Sequence, residues 1–405
     1  MLLFEIKKVF LKPANKIALV LLAGVLAAAC YCAVVSVEYV DEEGETAAGA
    51  EAARLLRSKK MEWAGFLTED VLAEVIRQNA FINASEEYLA QDVRENNKAY
   101  AKKQGFSDIR DMINRAFCGF KEYNYYRADS ISENEVSSFY ANRVFRLKEW
   151  LYSEEAQYRY SEEEKQFLIG QYERLEEPLY YEYADGWGAL LEFAPSVIMI
   201  MVLLLGFPIS GIFSNEFQWK SDAVFFSSKH GRDKAVASKV SAGFCIVTGI
   251  YWIAVAVYSA VVLGILGTEG AGCAVQMSHW KSFYNINFLE AYLLTIGGGY
   301  IGSLFMLTLS MLVSVKTHSP VLSAAIPFLL IFLPSFADSF SVFSDMLGLF
   351  PDQLLQMGRA LDYFNLYRIG GKIVGAVPVL LGVYGAGYFL MPPILYRMYR
   401  KSEVR

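Results

Sequence analysis

The chain has 405 residues, 54% hydrophobic and 15% aromatic, with 37 Lys/Arg, 43 Asp/Glu and a net charge of −6. That composition suits a membrane protein carrying a sizeable water-exposed part. It excludes nucleic-acid binding, because no basic face stands apart from clusters flanking apolar runs. Residues 41–190 hold 30 acids and 19 bases, a balance of −11, while the remainder holds 13 and 18, a balance of +5.

In chain order, residues 1–16 read as a cytoplasmic amphipathic helix ended by Pro13. Leu2, Leu3, Ile6, Val9 and Phe10 recur at helical spacing, and Glu5, Lys7, Lys8 and Lys12 are expected to face away. Residues 17–38 form the first span. Its Ala27-Ala28-Ala29-Cys30 resembles a lipoprotein cleavage box, but the apolar run continues to Val37, as in an uncleaved anchor. Residues 39–188 form one large helical domain on the outer side, with enough chain for a core of its own. Ser132-x-x-Glu135 and Ser161-x-x-Glu164 read as capping boxes, and Glu162-Glu163-Glu164 as a solvated helix start. Tyr180, Tyr181, Tyr183 and Trp187 read as an aromatic belt where the chain re-enters the membrane.

The second span covers residues 189–213, and residues 214–239 form a polar cytoplasmic segment. Residues 240–396 hold spans three to six, with outer loops at 267–288 and 341–372. Asn287-x-x-Glu290 reads as the cap of span four, whose Gly298 and Gly302 present a small-residue face for close packing. The 341–372 segment is amphipathic and is expected to return to or lie on the outer surface. Residues 397–405 are a basic cytoplasmic tail. The fold class expected is therefore all-α and polytopic, with six spans and both termini inside, since Lys/Arg flank each inner end.

The segment 214–239 sits between two spans and carries Lys220, Lys229, Arg232, Lys234 and Lys239 against Glu216, Asp222 and Asp233. Glu216 just after the second span is followed by Phe225-Phe226-Ser227-Ser228, then Gly231-Arg232, then Lys239 at the head of the third. This order resembles the permease subunits of type-2, exporter-like ABC transporters. It departs from them at Lys229-His230-Gly231, where many members have Pro before the Arg. The resemblance covers the chain outside residues 41–188. It implies that Glu216, Phe225, Phe226, Gly231, Arg232 and Lys239 couple the spans to a separate ABC ATPase subunit, which binds the ATP and Mg. It also implies a homodimer or heterodimer of permeases in a bacterial cytoplasmic membrane, moving an amphiphile or peptide outward. The alternative is an envelope sensor, in which the outer domain controls a partner without transport.

Chemistry within the chain itself is sparse. The only Gly-Lys, Gly371-Lys372, precedes Ile373 and lacks the earlier glycine of a phosphate-binding loop, so ATP hydrolysis is expected in another polypeptide. Ser278-x-x-Lys281 lacks the companion motifs of penicillin-binding enzymes. His230, His279 and His318 are scattered, with no metal spacing. Cys30, Cys32 and Cys245 read as packed thiols, and Cys118 and Cys273 as outer-side cysteines able to pair. Glu290 and Asp338 are expected at outer span ends, and Glu216 is expected to pair with Arg232 or with a basic residue of the ATPase. No catalytic residue, cofactor or metal site is expected in this chain.

Overall fold

The computed structural model describes residues 1–218, 227, 234–337 and 347–400. Helix dominates, and sheet is confined to short two-stranded pieces. Helix α1 (Leu2–Leu11) leads into α2 (Pro13–Val35), with Pro13 at the first helical position, where its missing N–H leaves no bond unmade. The Asn15 side chain donates to the Val9 carbonyl at 2.7 Å and fixes the angle between the two.

A head domain follows. Strands β1 (Glu38–Val40) and β2 (Thr46–Ala48) form a hairpin before α3 (Ala50–Met61). Strand β3 (Gly65–Phe66), α4 (Glu69–Asn83), α5 (Glu86–Leu89), α6 (Val93–Lys103), α7 (Ser107–Phe117), α8 (Phe139–Leu151), α9 (Glu162–Glu173) and β4 (Tyr180–Tyr181) complete it. The reciprocal capping bonds of Ser161 and Glu164 start α9. Ser132 and Glu135 bond each other in the same way, but they lead into a 3-10 turn, so α8 begins only at Phe139.

Helix α10 (Asp185–Gln218) then runs from head to base. Helix α11 (Lys234–Leu266) returns, α12 (Phe288–Thr317) descends, and α13 (Pro320–Ala337) climbs again. Short helices α14 (Pro351–Leu355) and α15 (Met357–Asp362) precede the hairpin β5 (Leu366–Ile369) and β6 (Lys372–Gly375). Helix α16 (Ala376–Arg400) closes the described chain. Among the described residues, α2, α10, α11, α12 and α16 are long and apolar enough to cross a membrane, and α13 contributes a shorter apolar stretch, Pro320–Pro334. The chain is an all-α multi-pass membrane protein.

Three expectations change. The second span starts four residues early and its helix runs on to Gln218, while α11 starts at Lys234, so both ends of the polar segment continue spans as helix. Of the 341–372 segment, residues 347–372 are described, and its short helices pack against α12. Cβ atoms added at Gly298 and Gly302 of α12 would meet Met357 and Leu355 at 2.7 Å, so the glycine face receives α14 and α15 rather than a long neighbouring helix. Gly302 lies fourteen residues along α12, about 21 Å from its start at 1.5 Å per residue, so this packing reaches well into the spans.

Third, the head does not keep a core to itself. Leu147, Trp150, Leu168 and Tyr172 share a buried cluster with Phe283 of the α11–α12 loop and Phe364 of the α15–β5 link. The Arg143 guanidinium lies 3.8 Å from the Tyr172 ring centroid and donates to the Ser282 carbonyl at 2.8 Å. Tyr181, Tyr183 and Trp187, read as an interface belt, are buried in this junction, and only Tyr180 of the four is exposed. The spacing that places aromatics at a water interface serves equally for packing beneath a covering domain. Cys118 and Cys273 are both buried free thiols, so no bridge joins them.

Candidate functional site

Helix α10 is tied at each end by a cluster of charges. At its base Glu216 lies in the last turn, 3% exposed, facing the second turn of α11, where Lys239 is 0% exposed. The Lys239 ammonium donates to Glu216 Oε1 at 2.7 Å and to the Ile212 carbonyl at 2.9 Å, with Glu5 Oε2 at 3.3 Å. Lys8 of α1 reaches the same Glu216 oxygen at 2.6 Å. Burying these charges is costly, and the cluster persists because each ammonium meets an anion and, for Lys239, a carbonyl as well. Lys12 sits beside it, where burial and then the Lys8 ammonium lower its pKa from the ordinary lysine value.

The amphipathic reading of α1 therefore needs a correction, because Glu5 and Lys8 turn inward onto α10 and α11 instead of away. The helix has a polar face as expected, but that face meets charged partners within the fold. The base is further closed by Ser314, which donates to the Ser210 carbonyl at 2.8 Å, and by the rings of Phe213 and Tyr399, 4.8 Å apart. The structure thus brings Glu216 and Lys239 together. Phe225, Phe226, Gly231 and Arg232 lie outside the described residues, as do His230 and Asp338. Gly298 and Gly302 stand apart from this cluster, on the α12 face that meets α14 and α15.

At the head end, Asp185 opens α10. Lys60 of α3, 3% exposed, donates to both Asp185 oxygens at 2.8 Å and lies 2.8 Å from Asp108 Oδ2 of α7. Tyr181 donates to Asp108 at 3.2 Å. Burial by itself would lower the Lys60 pKa, but the two carboxylates outweigh it and hold the ammonium well above its usual value. Above this triad lies a cavity of about 430 Å³ between the head and the starts of α10 and α12.

Nothing in the sequence pattern singles out Lys60 or Asp108 from the many other charges of the head. Asp185 and Glu192 left a readable signal, carboxylates at and within the start of an apolar helix, where ionisable groups are expensive and serve function. Ser278 lines the same cavity, whereas His279 meets Asp362 at 2.8 Å and His318 ends α12 in a left-handed conformation, φ 56°. Glu290 forms a capping box with Asn287, as its spacing indicates. Among the described residues no group of three His, Cys, Asp or Glu side chains is placed to hold a metal ion. No family model, curated protein or solved structure matches this chain.

Proposed function

We propose that this chain is the six-span permease subunit of an ATP-driven ABC exporter in a bacterial cytoplasmic membrane. Its head lies outside the cell and both termini lie inside. A separate ATPase subunit binds ATP and Mg and docks on the segment between α10 and α11, and two permease subunits, alike or different, face each other in the lipid. The observation that carries this reading is the base cluster. Glu216 and Lys239 bracket the polar segment, and Lys8 and Glu5 add α1, so a push on that segment reaches α1, α10 and α11 together. Closure of the ATPases on ATP then reorients the spans and moves an amphiphile or peptide outward.

One observation favours a second reading, an envelope sensor without transport. The head is fused to the span-connecting loops through Phe283, Phe364 and Arg143, so movement of the spans is passed to the head. Affinity-tagged chain extracted from its native membranes tests the ATPase docking common to both readings. It should bring down a polypeptide with the phosphate-binding loop and ATP hydrolysis, and Arg232→Ala should insert normally yet lose that polypeptide. Recovery of the chain without any ATPase, or full retention by Arg232→Ala, would overturn the coupling assignment. Flux of a compound that stimulates the recovered ATPase separates exporter from sensor.

A further inference from the structure

The cavity at the head end is lined from both sides of the junction. Glu192, Gly188 and Ala189 of α10 and Ser36 and Val37 beyond α2 form one wall, and Asp108, Arg110 and Asp111 of α7, with Tyr100 and Tyr125, form the other. Glu192 lies seven residues into α10, about 10 Å along the helix, near the start of its apolar run. It is exposed, and among the described residues it has no ion-pair partner. The other charges are already matched. Asp111 pairs with Arg115 at 2.7 Å, Asp108 and Asp185 share Lys60, and Arg110 holds Asp129 at 2.9 Å. Glu192 is thus the charge in the cavity wall without an ion-pair partner among the described residues, at the head of an apolar helix where a cation would complete it.

Two further features narrow the occupant. Tyr100 and Tyr125 put aromatic rings in the wall, and Tyr125 already receives the Arg110 guanidinium 4.5 Å from its centroid, so these surfaces suit organic cations. Volume fits as well, since about 430 Å³ holds a headgroup but not a folded peptide.

We infer that this cavity binds the headgroup of a membrane-borne amphiphile carrying an ammonium, with the ammonium on Glu192 and the rings. This deepens the exporter reading by naming a substrate or effector class, but it rests only on the chain lying in a membrane. An ATPase need not be present for the test, so failure of one leaves the other standing.

The full chain, purified in dodecyl maltoside without any partner, is titrated calorimetrically with dodecylphosphocholine. Dodecyl sulfate supplies a tail with the wrong charge, and free phosphocholine supplies the headgroup from water without a tail. Saturable binding of dodecylphosphocholine alone is expected. Glu192→Gln should weaken it about fivefold, the upper scale of an exposed ion pair. Ser278→Trp, which adds bulk to the cavity wall from the loop side, should abolish it, and Glu154→Gln, at an exposed head residue outside the cavity lining, should leave it unchanged. Wild-type affinity in both Glu192→Gln and Ser278→Trp would overturn the inference, as would equal binding of dodecyl sulfate or of free phosphocholine.

Discussion

The two ends of α10 use the same device with opposite surplus. At the base, among the described residues, one carboxylate of α10 accepts two lysines from α1 and α11, with Glu5 against Lys239 and Lys12 beside them. At the head, one lysine is divided between two carboxylates, and a third, Glu192, stands two turns further along. At the base Lys239 is fully buried and bonded to a backbone carbonyl, although Lys8 is 25% exposed, whereas the head cluster borders an open cavity. A buried, paired ammonium leaves no opening for a guest. A negative knot beside a cavity is stable only with water or a cation to complete it. The same residue types therefore read as a joint at one end and as a receptor at the other.

The contrast is broken most directly at the base. Lys239→Met removes the buried ammonium that Glu216 and Glu5 share, and removing one partner of a buried pair typically costs about 3–5 kcal/mol. Thermal unfolding in detergent should show the largest drop of any variant considered, and a loss under about 1 kcal/mol would mean that water reaches this site. Lys60→Met at the head leaves Asp108 and Asp185 facing each other. Because both carboxylates are partly exposed beside the cavity, the loss should be smaller, about 2–3 kcal/mol, and adding Asp185→Asn should recover part of it. Equal losses in the two variants would erase the distinction between a buried and an open cluster.

A third prediction concerns pH. Tyr140 donates to the Leu67 carbonyl at 2.8 Å and accepts from the Leu179 N–H at 2.9 Å, and burial pushes its pKa up to about 12. The unfolded chain ionises tyrosine near pH 10, so between about pH 10 and pH 12 the folded head holds a proton the unfolded chain has lost. The stabilisation is complete below the unfolded pKa and disappears as pH rises through the folded one. Tyr140→Phe should cost about 1–2 kcal/mol at neutral pH, and its difference from wild type should shrink as pH climbs through this window. A constant difference from pH 8 to 12 would contradict the burial of that hydroxyl. The smallest effect belongs to Arg368→Ala. Its pair with Glu163 at 2.5 Å joins β5 to α9 across an exposed surface, and such pairs contribute about 0.5 kcal/mol or less. A larger loss would mean that the head is held to the loops by surface charge rather than by Phe283 and Phe364.

The helical class and five of the expected spans were legible because long apolar runs admit few alternatives in a membrane. Caps were legible where the motif is local, as at Ser161 and Asn287. The clusters were not, because each joins residues far apart in sequence. Lys60 and Asp185 are 125 residues apart, and Lys8 and Glu216 are 208 apart. A lysine on an amphipathic helix looks the same whether it faces headgroups or a buried carboxylate. The aromatic cluster at 180–187 misled for a related reason: its composition suits an interface, but a domain folded over it makes it core.

Helix α10 has 34 residues and so measures about 51 Å, against a hydrocarbon core of about 30 Å. Some 20 Å of it must therefore stand clear of the oily layer or be taken up by tilt. Its two ends are pinned to different partners, and under the proposed exporter reading it would act as a lever across the bilayer. A swing of about 5° in a rod of that length carries its far tip about 4 Å, close to the width of an ammonium group. Pro195 and Pro208 are the points where such a rod can flex instead of swinging, each lacking one backbone bond. Stiffening either with alanine would convert bending into rotation, and the mouth of the cavity beside Glu192 would then report directly on what happens at Glu216.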